Sequence, residues 1–172
     1  MKDEEILELA RAGVRALRFN VRRGGSENIS RIQEMAERVH SLAGWCIELY
    51  IDASEIDSSL AAILCALPSV CIDHLGLSAA GLPALLRLVE KGVHVKATGF
   101  SRTDMDVKKA MRALMNANPR CLMFGTDLPS TRAPVPFARA DFDLLQDSFA
   151  PQELERMLHG NAAQFYGLAD CA

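Results

Sequence analysis

Two strand ends in this sequence carry side chains able to work on water. The apolar run Cys121-Leu-Met-Phe-Gly-Thr-Asp127-Leu-Pro129 stops at Gly-Thr-Asp, and a proline then blocks further strand. Asp127 is thereby placed at the carboxyl end of a buried strand, the edge at which parallel α/β sheets bind substrates. A second run, Val70-Cys-Ile-Asp-His74-Leu-Gly76, ends in the same way with His74. A carboxylate near an imidazole can orient and deprotonate a water, and a polarised carbonyl opposite them completes a hydrolytic site. Arg18, Arg22 and Arg23 cluster near another strand end. They read as a local anion site, because guanidinium groups grip carboxylates through paired, charge-assisted hydrogen bonds.

Each of these residues also has a plainer reading. Asp127 could be a turn or helix-capping carboxylate, His74 a hydrogen-bonded interior histidine, and Arg22 and Arg23 solvated loop charges. His94 and Lys96 could fill a polar sheet face as partners for Glu48. His40 and His159 lie on expected helices, and Met111 and Met115 repeat at helical spacing, which suits core packing.

The elements that must position these groups alternate along the whole chain. A short helix over Ile6–Ala12 precedes a strand at Val14–Asn20. Ser26 or Asn28 is placed to cap a helix that runs to about Leu42 and ends at Gly44. Trp45–Ile51 is a strand, and Ser54 or Asp57 opens a helix ending before Pro68. After the strand Val70–His74 comes a helix from about Ser78 to Lys91 with a Gly92 stop. Val93–Thr98 is a strand, and Thr103 or Asp104 caps a helix to about Asn118. Cys121–Gly125 is the last strand, followed by the proline-rich loop Pro129–Pro136, helices near Ala140–Asp147 and Pro151–Leu158, and a turn around Asn161–Tyr166. This predicts one α/β domain over residues 1–172 with about six parallel strand–helix units.

Alternation within the strands narrows the architecture. Arg18 and Asn20 oppose Leu17 and Phe19; Glu48 and Tyr50 oppose Ile47 and Leu49; His94, Lys96 and Thr98 oppose Val93, Val95 and Ala97. Strands buried under helices on both sides should be apolar on both faces. A repeated polar face instead suggests strands that look into the lumen of a (β/α)₈ TIM-type barrel. Six units are fewer than eight, so the barrel is incomplete, with the first units missing. An open flavodoxin-like sheet is the rival, but Arg22-Arg-Gly-Gly-Ser26 has neither the G-x-G-x-x-G pattern nor a P-loop lysine.

Composition sets outer bounds. The 172 residues are 49% hydrophobic and 24% charged, with net charge −3, so nothing implies general affinity for nucleic acid. No apolar run is long enough to span a bilayer, and the acidic N-terminus is unlike a signal peptide. None of the five cysteines, Cys46, Cys65, Cys71, Cys121 and Cys171, has C-x-x-C spacing. They are expected to be reduced core thiols of a cytoplasmic protein.

Six segments in order resemble the amidohydrolase superfamily: Gly13-Val-Arg-Ala-Leu-Arg-Phe-Asn20, Trp45-Cys-Ile-Glu-Leu-Tyr-Ile51, Ile72-Asp-His-Leu-Gly76, Val93-His-Val-Lys-Ala-Thr-Gly99, Phe124-Gly-Thr-Asp-Leu-Pro129 and Asn161-Ala-Ala-Gln-Phe-Tyr-Gly167. The likeness is to the branch that contains 2-pyrone-4,6-dicarboxylate lactonase. It implies a barrel hydrolase that adds water to a small carboxylated lactone or related carbonyl compound. It assigns Asp127 as general base and metal ligand in metal-using members, and His74 as metal ligand or contact to the substrate carbonyl. It also implies substrate carboxylates held by Arg18 and by Arg22 or Arg23, with Tyr50 and Arg102 as further contacts. A divalent metal such as zinc is the cofactor the resemblance suggests.

The chain departs from this pattern in lacking the His-x-His pair of the family's first strand; its four histidines are scattered. It also has Leu77 where the branch tends to carry arginine. A catalytically silent relative that serves as a binding or assembly module is therefore the alternative. The strands Val14–Asn20 and Cys121–Gly125 would have open edges, and a homo-oligomer is expected to cover them.

Overall fold

Glycines, prolines and short polar caps cut the chain where each apolar run ends. The computed structural model, which describes residues 1–168, follows those cuts. Five strands form: β1 (Ala16–Phe19), β2 (Cys46–Leu49), β3 (Val70–Ile72), β4 (His94–Ala97) and β5 (Leu122–Phe124). They pair in sequence order and all in parallel. The α/β class and the alternating plan are as expected, with five strands in place of about six. Helices α1 (Asp3–Arg11), α2 (Ile32–Ala43), α3 (Ser58–Ala66), α4 (Leu82–Glu90) and α5 (Val107–Ala117) accompany the strands. Helices α6 (Arg139–Gln146) and α7 (Pro151–Glu155), a π-turn at Arg156–Gly160, and α8 (Asn161–Phe165) follow β5.

The local causes are visible at the helix ends. Asn28 accepts from Ser30 N at 2.9 Å and opens a 3₁₀ turn leading into α2, which Gly44 ends in the left-handed region at φ 67°. Asp57 caps α3 by accepting from Leu60 N at 2.8 Å. Helix α5 is capped by Asp106, not by Thr103 or Asp104 as the sequence suggests. Those two side chains are used elsewhere: Asp104 accepts from Ala79 N at 2.6 Å and Thr103 from Met105 N at 3.2 Å.

Register turns the strand alternation into two faces. Leu17, Ile47, Val70, Val95 and Leu122 share the outer face and pack with Ile6, Val39, Leu64, Leu85 and Met111 of the helices in one core. The other face carries Arg18, Glu48, Cys71 and His94 in one row, with Lys96 beside Met123. Its lower part is covered by the chain's own C-terminal segment, where Phe165 packs against Cys46, Cys71 and Met123. The His94 ring lies 4.7 Å from that of Phe165, so His94 is not the partner of Glu48.

The two sheet edges expected to be open are not alike. At β5, Val95 N binds Cys121 O, so the Leu122 carbonyl points away from β4. Buried Asn161 donates to that carbonyl at 2.7 Å, and the π-turn packs along the strand. At β1, sheet pairing runs to β2 on one side only.

Cys46, Cys71 and Cys121 are buried free thiols, and burial pushes Cys121 up to about 12 and Cys71 well above its ordinary range. Cys65 departs from the expectation: it sits on the exposed side of α3. Cys171 lies outside the described residues. No described helix is long and apolar enough to cross a membrane.

Two outcomes test this packing. Asn161→Ala should lose about 1–3 kcal/mol in urea unfolding, because the Leu122 carbonyl stays buried without its donor. His94 is held below its ordinary value of 6.5, mainly by burial. The unfolded chain therefore binds the extra proton first, and the histidine's contribution is complete above about pH 6.5 and lost as pH falls through the lower folded value. His94→Gln should flatten the loss of Tm on acidification below that point.

Candidate active site

The carboxyl ends of the strands open into one cavity of about 300 Å³ lined by Arg18, Asn20, Arg23, Tyr50, His74, Arg102, Asp127 and Arg132, among others. Asp127 and His74 thus share a single space, as their strand ends predict. A second lobe of about 470 Å³ adjoins it, sharing Arg23, Tyr50, Arg102 and Arg132 and adding Arg22, Asp52, Leu77, Ser78 and Asp104. The volumes suit a small ligand.

Backbone geometry sets the two residues at the strand ends. His74 and Asp127 both adopt left-handed conformations, with φ of 53° and 57°. Non-glycine residues rarely take such angles, and when held there they are often found at binding sites. A polar residue at the top of a strand is turned sharply toward the lumen instead of continuing the pleat.

Asp127 does not stand alone. Arg102 donates to its Oδ2 from Nε at 2.8 Å and sits at 2.7 Å through Nη2. The side chain of Arg102 is only 8% exposed, so this pair is screened little by water. Both guanidinium contacts fall on one carboxylate oxygen, leaving Oδ1 with no protein hydrogen bond among the described residues. Gly99 makes this approach possible. A Cβ there would lie 2.9 Å from Arg102 Cδ and 3.0 Å from Asp127 Oδ2, and its φ is 55°.

His74 is buried, and its Nδ1 lies 2.8 Å from Thr98 Oγ1 and 3.3 Å from Thr98 O. Burial lowers its pKa, against the opposing pull of Asp73 and Asp127, which favours the neutral ring. The ring proton sits on Nε2 when the Thr98 hydroxyl donates to Nδ1, and on Nδ1 when that nitrogen donates to the Thr98 carbonyl. Tyr50 meets His74 edge-on, with ring centroids 5.1 Å apart.

Beneath the cavity the inner sheet face is a chain of paired charges. Arg18 donates to Asp73 Oδ2 from Nε at 2.8 Å and Nη2 at 2.5 Å. Lys96 lies 3.3 Å from Asp73 Oδ1 and 2.8 Å from Glu48 Oε2, and Tyr166 donates to Glu48 Oε1 at 2.6 Å. The contact to Asp73 Oδ1 has charge proximity without hydrogen-bond geometry, since that buried oxygen has no bonded partner.

The structure therefore sorts the predicted contact residues. Arg18 and Arg102 line the cavity but are each committed to a carboxylate. Arg22 lies in the outer lobe, 3.8 Å from Glu55 and half exposed. Arg23 lines both lobes, its guanidinium 5.7 Å from the Tyr50 ring centroid. Asp73 and Arg132 were not singled out by the sequence. Alternation in Val70-Cys-Ile-Asp puts Asp73 on the inner face, a signal hidden by its neighbour His74. Arg132 sits in an irregular loop with no period to project.

The donor set fits a metal poorly. Among the described residues, no group of three or more His, Cys, Asp or Glu side chains is placed to hold an ion. His74 and Asp127 offer two ligands, fewer than the three protein ligands usual at catalytic zinc.

An amidohydrolase family model matches residues 1–168, and the chain belongs to that family. No curated protein sequence matches the chain. Among solved structures, a candidate 2-pyrone-4,6-dicarboxylic acid hydrolase from Pseudomonas putida is 26% identical, with TM-score 0.78 over 97% of this chain and 68% of its own. A candidate enzyme of the same description from Acinetobacter baumannii, with citric acid bound, is 21% identical, with TM-score 0.79 over 98% of this chain and 70% of its own. An Agrobacterium tumefaciens protein in its apo form is 23% identical, with TM-score 0.80 over 98% of this chain and 66% of its own. All three chains are longer than this one, so the five-stranded sheet corresponds to part of their TIM-type barrels.

Gly99→Ala should leave the fold in place but force Arg102 and Asp127 apart. The expected result is a Tm lower by a few degrees, corresponding to about 1–3 kcal/mol, together with weakened binding of any carboxylate that enters the cavity.

Proposed function

We propose that this chain is a hydrolase acting on a small carboxylated lactone or a related carbonyl compound. The observation that carries this reading is the single cavity into which Asp127, His74 and several guanidinium groups open. The Pseudomonas putida relative supports the substrate class, its description naming a cyclic ester with two carboxylates. In this reading Asp127 Oδ1, held in place through the Arg102 contact on Oδ2, takes a proton from water. The hydroxyl adds to the ester carbonyl carbon while His74, protonated on Nε2, donates a hydrogen bond to the carbonyl oxygen. Collapse of the tetrahedral adduct breaks the ring C–O bond, and the departing oxygen takes up the proton from Asp127.

The second reading, a binding module without turnover, is favoured by one observation: the carboxylate that would serve as base is already engaged by Arg102. The two are separated by assaying ring opening of 2-pyrone-4,6-dicarboxylate and simpler carboxylated lactones in a pH-stat, with citrate titration as a measure of binding. The hydrolase reading predicts turnover that drops by about 10²–10⁴ in Asp127→Asn while citrate affinity persists. Tight citrate binding with no turnover of any lactone would establish the binding module instead.

A further inference from the structure

Helix α3 carries no charge on any side. Its sequence, Ser58-Ser-Leu-Ala-Ala-Ile-Leu-Cys-Ala66, holds no ionised residue, yet only Leu64 is buried, and Ala62, Cys65 and Ala66 are exposed. Other helices of the layer differ: α2 shows Gln33, Glu34 and Glu37 to solvent, and α5 shows Lys108, Lys109 and Asn116. A helix without a charged side is ordinarily covered all round. Extending the sheet would not cover this one. Strand β2, which leads into α3, is paired on both sides, to β1 and to β3, so α3 lies within the helix layer and away from both sheet edges.

Between α3 and α4 the surface sinks into an open groove of about 360 Å³. Its floor is apolar, with buried Ile56 and Leu88 beside half-buried Ala61 and Ala84. Its rim is charged, and the two signs are separated along its length. Asp57 stands at the amino end of α3, whereas Lys91 follows the carboxyl end of α4, with Arg87 one turn before it. All strands are parallel, so both helices return from the carboxyl to the amino edge of the sheet and run the same way. Asp57 and Lys91 therefore mark opposite ends of the groove. None of these three charges has an ion-pair partner among the described residues. Asp57 Oδ1 accepts from Leu60 N at 2.8 Å, and its Oδ2 has no hydrogen bond among the described residues.

We propose that this groove is the interface of a twofold-symmetric homodimer, in which α3 of each copy lies antiparallel across the α3–α4 groove of the other. A twofold axis through Ala62 reverses the groove end for end and sets Asp57 against the cationic end of the partner's groove, twice. That is the self-complementarity an isologous contact needs, and it favours a second copy over an unrelated chain. Alanine and cysteine at the crossing let the two helices approach closely and cover Ala62, Cys65 and Ala66. A net charge of −3 on the whole chain opposes self-association little. The contact is distinct from the strand edges and independent of the reading of the cavity.

Sedimentation equilibrium over a concentration series of the full chain tests the interface. The wild type should be dimeric at tens of micromolar and dissociate on dilution. Ala62→Arg, which puts bulk and charge at the crossing on an exposed helical position, should weaken association at least about a hundredfold. Lys91→Gln and Asp57→Ser should each weaken it about tenfold, serine keeping the helix cap. The double variant should lose less than the product of the single losses, because both remove the same contact. Lys108→Gln, on the exposed side of α5, should match wild type. An unchanged far-ultraviolet circular dichroism spectrum verifies the fold of each variant. Treatment with a short bismaleimide should link two copies through exposed Cys65, and Cys65→Ser should remove that product. A wild type that stays monomeric throughout overturns the proposal. So does a dimer that Ala62→Arg leaves intact, which would put the axis elsewhere, the edge of β1 included. Should Ala62→Arg lose its fold, the cross-link decides, and a dimer without a Cys65-dependent product overturns the interface.

Discussion

A charge removed from water must be paired, and on the inner face of this sheet that requirement governs the arrangement of everything above it. Arg18, Asp73, Lys96 and Glu48 lie on or beside strands whose other faces pack into the hydrophobic core. Lys96 lies beside both Asp73 and Glu48, so removing it would leave the partly buried Glu48 without a cation, a loss much larger than the net value of the pair. Tyr166 closes the chain of contacts from the C-terminal segment, so the last helical turn is coupled to the centre of the sheet. Phe165 beside it fills the apolar floor that Cys46, Cys71 and Met123 line. The sheet is therefore covered on the inside by its own chain end, and the cavity above rests on a fixed base.

The same pairing rule divides the arginines of the cavity into two kinds. Arg18 and Arg102 position acids; Arg23 and Arg132 stay available. Arg102 has the wider structural role, because one guanidinium holds both the Asp127 carboxylate and the Thr131 carbonyl. Gly99 gives it the space to do so. The expected catalytic group and the loop that frames the opening are thus linked through one buried side chain.

Much of this architecture is legible in the sequence, for stated reasons. Parallel strands ending in Gly-Thr-Asp and Asp-His mark the carboxyl edge of the sheet, because the apolar run stops there and a turn begins. The polar alternation of Arg18, Glu48 and Lys96 reports an inner face distinct from the helix-covered one. The helix cap at Asp106 was missed because Thr103 and Asp104 look equally suitable locally, and only the tertiary partners Ala79 and Met105 reveal their other uses. Asp73 was hidden by adjacency to His74. The commitment of Arg102 to Asp127 depends on two loops 25 residues apart, a distance that no local pattern spans. Asn161 reads as part of a family-like turn, whereas its role in binding an edge carbonyl emerges only from packing.

The most direct measurement is a crystal structure of the protein with citrate bound. The ligand is expected in the space between Asp127 and His74, with the Arg102–Asp127 pair retained. Citrate bound elsewhere, or a cavity collapsed so that Asp127 and His74 no longer face a common void, would contradict that expectation.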